Sequence, residues 1–130
     1  MQSEHLQKGL ALRRELSGDR VVDEAFKDPN DFSFPMEEFV TETAFGAVWS
    51  RPGLDRRSRS ILNIGMLAAL NRPDALAGHI RTGIKNGLTV DEIRECLLQI
   101  GAYAGCPAGL DSFRVARRVL TEMGLLEAKA

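Results

Sequence analysis

Apolar residues recur along almost the whole chain at three- and four-residue intervals. Nowhere do they alternate with period two for long enough to make a strand. The pattern predicts a run of amphipathic helices separated by short breaks. A first helix opens at Ser3 or Glu4 and closes at Gly18, and residues 19–27 make a short second one. The stretch DPNDFSF, rich in turn formers, is an irregular link. PMEEFVTETAFGAVW then starts a helix with Pro35 in the first turn, where a missing N–H is tolerated. It repeats apolar residues at Phe39, Val40 and Val48 before SRPG breaks the chain.

Asp55 is placed to cap RRSRSILNIGMLAAL. From Ile61 onward that helix is apolar on nearly every face, the pattern of a helix buried on all sides, by this chain or by another subunit. Pro73 opens the next helix and Gly87 ends it. Thr89 and Glu92 form a capping box for VDEIRECLLQIGAYAG, Gly105 stops it, and Pro107 opens a last helix running to Gly124. The expected fold is all-α: a single-domain bundle of about six to seven helices over residues 1–130, oligomeric. A chain of 130 residues can bury a core without disulfides or a structural metal.

Charge and composition narrow the partners. A net charge of -1 gives no electrostatic case for nucleic acid or an anionic membrane. No apolar run approaches the roughly 20 residues of a membrane helix. The N-terminal MQSEHLQKGLALRREL interrupts its apolar residues with charge, unlike a secretory signal, so a cytoplasmic protein is expected. Cys96 and Cys106 form no CxxC, and no disulfide is expected between them. Cys96 reads as a small core residue, and the role of Cys106 stays open.

One histidine stands in mid-chain, His79. At 100° per residue, Leu76, Ile80, Gly83 and Ile84 share one stripe of its helix. His79 falls about 60° from Leu76, at the stripe's edge on the Gly83 side, where a small ligand could approach. Arg81 points away, toward solvent or a neighbouring chain. On the next helix Ile93, Leu97, Ile100 and Ala104 make the core stripe, with Tyr103 at its edge. Borders of apolar faces are where a polar pocket can open into a helical core. The residues alone leave two readings of His79 and Tyr103: members of such a pocket, or packed and solvated edge residues. The arginines at 51, 56, 57, 59, 72 and 81 read equally as surface charge.

The segment WSRPGLDRRSRSILNIGMLAALNRPDALAGHIRTGIKNGLTVDEIRECLLQIGAYAGCPAG, through Trp49–Leu54, Arg59-Ser60, His79-Ile80-Arg81, Asn86-Gly87, Asp91-Glu92-Ile93, Gln99 and Tyr103–Ala108, resembles the carboxymuconolactone decarboxylase family. GLALRRELSGDRVVDEAF extends the resemblance toward the N-terminus. It implies an all-helical homohexamer, a trimer of dimers, with no cofactor and no metal. The implied substrate is a dicarboxylate lactone: γ-carboxymuconolactone becomes the β-ketoadipate enol-lactone plus CO2, in the protocatechuate branch of aromatic catabolism. The lactone is its own electron sink, so the protein has to hold a dianion, stabilise an oxyanion and deliver a proton. His79 suits proton delivery, with an unperturbed pKa of about 6.5. Tyr103 suits donation to the oxyanion. Arg51, Arg59 and Arg81 suit the carboxylates, and Glu42 is a further candidate acid or His-orienting group.

Three positions depart from the family's decarboxylases, which usually carry Asn where Leu110 stands, His where Arg114 stands and an acid where Ala47 stands. A paralogue acting on a related lactone or carboxylic acid is therefore an alternative. The related alkyl hydroperoxidase D-type enzymes use C-x-x-C-x-x-x-H. Aligning that histidine on His79 puts their cysteines at Arg72 and Ala75, so a thiolate pair is missing. A non-catalytic oligomeric ligand-binding protein is the third reading.

Overall fold

A computed structural model describes residues 3–129. Among them helices are the regular elements, with no strand, and the chain groups into two compact units, Met1–Leu54 and Asp55–Ala130.

The N-terminal unit holds α1 (Glu4–Ser17), α2 (Asp19–Phe26) and α3 (Phe34–Val40), which continues as a π-helical segment over Thr41–Trp49. Ser3 caps α1, its hydroxyl accepting from the Leu6 N–H at 3.0 Å. The link before α3 is tied by side chains: Asp28 accepts from the Asn30 N–H and Asp31 from the Ser33 N–H. Leu12, Leu16, Phe45 and Trp49 form this unit's apolar cluster. Around it α1 and the π segment meet backbone to backbone. A Cβ at Gly9 would run into the Thr41 carbonyl, and one at Gly46 into the carbonyl of His5. Arg13 locks the same contact, donating to Glu37 at 2.7 Å and to the fully buried Thr41 hydroxyl at 3.0 Å. Its guanidinium lies 5.5 Å from the Phe45 ring centre.

The regular helix expected over 35–49 is thus corrected. It widens after Val40, and the Ser50 N–H reaches five residues back to the Phe45 carbonyl. The widened turn coincides with the closest backbone approach to α1, a long-range demand that apolar spacing does not encode.

The C-terminal unit holds α4 (Arg56–Ala69), α5 (Pro73–Lys85), α6 (Val90–Ala104) and α7 (Cys106–Glu122). Its start signals act as predicted. Asp55 accepts from the Ser58 N–H at 2.7 Å, and that bond holds its carboxyl below the usual carboxylate range. Thr89 and Glu92 make a reciprocal capping box. Pro73 opens α5, and Gly87, at φ +99°, turns the chain beyond it. Ile64, Ala68, Leu76, Ile80, Leu88, Ile93, Leu97, Ala116, Val119 and Leu120 form the core. Each Leu or Ile buried there contributes roughly 1.5–3 kcal/mol.

This chain does not bury α4 on all sides. Ser60, Ile64 and Ala68 are buried, whereas Leu62, Met66 and Leu70 remain 54%, 44% and 64% exposed. Spaced four residues apart, these three form one apolar stripe, and the exposed Ile61 lies on another side of the helix. Among the described residues no helix is long and apolar enough to cross a membrane.

Glycine substitutions test the close approach in the N-terminal unit. Gly46→Ala should lose about 1–3 kcal/mol in urea unfolding, because the added methyl meets backbone that cannot swing aside. Gly78→Ala, mid-helix with nothing within 4 Å of the added carbon, should gain about 0.5–1 kcal/mol. Equal effects would contradict the packing described.

Candidate active site

The seam between α4 and α5 carries two polar rungs beside its apolar core. Asn86 donates to the buried Ser60 hydroxyl at 2.9 Å, and Asn63 lies with its Nδ2 3.4 Å from Nδ1 of His79. The two helices run antiparallel, so Ser60 and Asn63 rise along α4 as Asn86 and His79 descend along α5. Ile64 and Ile80, each the next residue after a rung member, are fully buried. The core therefore fixes the height and orientation of the histidine.

His79 is partly buried, and burial alone pushes its imidazole below the usual histidine pKa. The ring is consequently neutral at pH 7, with one nitrogen donating and the other accepting. A neutral imidazole becomes an acid when a bound anion draws a proton to it. A ligand carrying carboxylates supplies such a charge.

The other candidates fall in different places. Arg59 is partly buried on α4, one turn before Asn63 and on the same side of the helix. Arg81 points out of the seam, as its helical angle predicts, and pairs with Glu122 at 2.5 Å. That hydrogen bond is the main reason the Glu122 carboxyl sits below its usual range. Tyr103, near the end of α6, is 80% exposed. Glu42 and Arg51 belong to the N-terminal unit, Glu42 partly buried in the π segment and Arg51 exposed just after it. Gly83 does not open a ligand approach beside His79. It is buried, and its missing side chain is replaced by the methyls of Leu88 and Ile64, 3.0 and 3.2 Å from where a Cβ would stand.

Sequence reasoning missed Asn63, Ser60 and Asn86. The available signals were Asn63, a lone polar residue in the apolar stretch from Ile61 onward, and Ser60 and Asn86 among the residues that carry the family resemblance.

The departures do not share the seam. Leu110 and Arg114 line a cavity of about 340 Å³ bounded by α6, α7 and the C-terminal tail, with Arg94 and Arg117 also on its wall. No residue of α4 or α5 lines it. Ala47 lies in the π segment. Cys96 packs partly buried against the core, where burial pushes its thiol up, and Cys106 is exposed at the start of α7. Both are free thiols. Among the described residues no group of three or more His, Cys, Asp or Glu side chains is placed to hold a metal ion.

A family model for the carboxymuconolactone decarboxylase family matches residues 35–118. The chain belongs to that family. It is 38% identical over 122 residues to a 4-carboxymuconolactone decarboxylase of Acinetobacter baylyi, covering 94% of this chain and 91% of the relative. It is 35% identical over 116 residues to a nitrosuccinic acid decarboxylase of Metarhizium robertsii, covering 89% and 81%. These two relatives, both named as decarboxylases and both aligned over most of their length, support a carboxy-lyase.

Histidine burial has a pH signature in stability. The folded-state pKa of His79 lies below the unfolded value near 6.5, so the unfolded chain binds the proton more readily. Stability from this residue is complete above about pH 6.5 and is lost as pH falls from there toward the folded pKa. Urea unfolding at pH 7.5 and 5.5 should show a larger loss in wild type than in His79→Gln. Equal losses would place the imidazole in a solvated environment.

Proposed function

We propose that this chain is a cofactor-independent decarboxylase of a carboxylic acid that carries its own electron sink, nominally γ-carboxymuconolactone, giving the β-ketoadipate enol-lactone and CO2. Family membership supports the reaction class, and the partly buried His79 beside Asn63 is the observation that carries the mechanism. The substrates named for the two relatives share one feature. In 4-carboxymuconolactone a carboxylate sits on the ring carbon that carries the lactone oxygen, joined through the ring double bond to the lactone carbonyl. In nitrosuccinic acid a carboxylate sits on the carbon that bears the nitro group. In both, the electron pair left by CO2 has an acceptor within the molecule.

For the lactone, the C–CO2 bond breaks and its electrons pass through the ring double bond onto the lactone carbonyl oxygen, giving a dienolate. Protonation of the carbon next to that carbonyl restores the lactone with its double bond shifted. One proton is consumed and one CO2 released, so a dianion becomes a monoanion. His79 delivers the proton. The carboxylates raise its pKa as they bind, converting the neutral ring of the ligand-free protein into the acid that the step needs. Arg59, one turn from Asn63 on the same side of α4, holds a carboxylate near the ring in this reading. Arg81 has to leave Glu122 to take part, and Arg51, Glu42 and Tyr103 keep the binding, acid and oxyanion roles that the family resemblance implies.

The protein acts as a homo-oligomer in this reading, a hexamer assembled as a trimer of dimers. The exposed Leu62, Met66 and Leu70 stripe is the apolar surface that a second copy would cover. The thiols have no role in the reaction, which takes place in the cytoplasm.

Purified protein should release CO2 from γ-carboxymuconolactone, and in D2O one deuteron should enter stereospecifically next to the lactone carbonyl. His79→Gln should lower kcat about 10²–10⁴-fold. Arg59→Ala should raise KM more than Arg81→Ala does. A folded His79→Gln protein with wild-type turnover on an accepted substrate would refute the assignment. Sedimentation of a stable 14.3 kDa monomer at micromolar concentration would refute the assembly.

A further inference from the structure

Resting on the reading of His79 as the proton donor, we propose that Asn63 is a positioning residue. Its carboxamide holds the imidazole at Nδ1 and follows the ring's protonation state by turning over. The contact joins Asn63 Nδ2 to His79 Nδ1 at 3.4 Å, between two partly buried side chains on packed helices. Leaving either polar group unpaired there would cost about 1–3 kcal/mol. With the amide nitrogen facing it, Nδ1 is the bare nitrogen of a neutral ring, and the ring's own proton sits on Nε2. Nε2 is therefore the atom that exchanges a proton with substrate.

The residue type follows from the same logic. Once Nδ1 gains a proton it donates, and an NH2 group facing it no longer fits. A half turn of the carboxamide replaces NH2 by Oδ1, which accepts from Nδ1–H with almost no change of shape. Transfer of the Nε2 proton to substrate then leaves a neutral ring whose Nδ1–H is still held by Oδ1. Re-equilibration with water restores the starting pair. A carboxylate at this position offers acceptors only, so it would hold the ring charged and oppose proton release. An apolar residue would support neither state. Among side chains of this size, a carboxamide serves both.

Ring ¹⁵N spectra of ligand-free protein, recorded where the ring is neutral, test the pairing directly. Wild type should show His79 with bare Nδ1 and protonated Nε2. Asn63→Leu should show a mixture of both tautomers, and Asn63→Asp a ring that stays charged to higher pH. Both variants should lose about 10–100-fold in kcat, the range seen when a hydrogen-bond partner that orients a metal-bound imidazole is removed, with KM changed less. A wild-type ring protonated at Nδ1 overturns the proposal, and so does an Asn63→Leu protein with wild-type tautomer and kcat. The spectra are read without turnover. Failure of this pairing is therefore seen separately from failure of His79 as the acid, which the His79→Gln turnover reports. The wild-type spectrum decides the matter even if a variant does not fold.

Discussion

The packing of α4 against α5 is the constraint on which the site depends. Ile64 and Ile80 are fully buried, and each stands next in sequence to one member of the Asn63–His79 pair. The apolar contact fixes the two side chains at one height, and the same burial removes the water that would otherwise stabilise an imidazolium. One physical event thus places the histidine and lowers its pKa. Buried Gly83 strengthens the arrangement by letting Leu88 and Ile64 close over its side of α5.

The charge logic follows from that burial. A group kept neutral in the empty site by desolvation is sensitive to any anion brought beside it, because only the cost of burying the charge holds the proton away. For an acid catalyst this is useful. The proton arrives with the substrate's negative charge and leaves with the developing carbanion. The need for an outside electron sink disappears when the substrate contains one, as the substrates named for both decarboxylase relatives do. In the proposed reaction, anion binding, orientation and one well-placed proton remain for the protein to supply.

The helices and their ends were legible in the sequence because local chemistry sets them. Asp55, the Thr89–Glu92 box, Pro73 and Gly87 act where their residue types predict. His79 was legible as the edge of an apolar stripe, and Arg81 as a residue facing away from it. Other features were not. The π segment over Thr41–Trp49 answers to a backbone contact with α1, and the pairing of Gly9 and Gly46 to Thr41 and His5 has no local signature. Asn63 was hidden by the apolar residues around it, since its partner lies 16 positions away on another helix. Tyr103 illustrates the limit of helical angles near a helix end: the edge of a stripe predicts a border, yet the ring is 80% exposed.

The proton-donor role is tested most directly by titrating the His79 ring by NMR with and without a non-reactive dicarboxylate lactone. The ring should titrate below the ordinary histidine value in the free protein and shift clearly upward on saturation with the lactone. A ring that titrates identically in the free and saturated protein would contradict that role, because the bound carboxylates would then lie away from the residue to which the proton transfer is assigned.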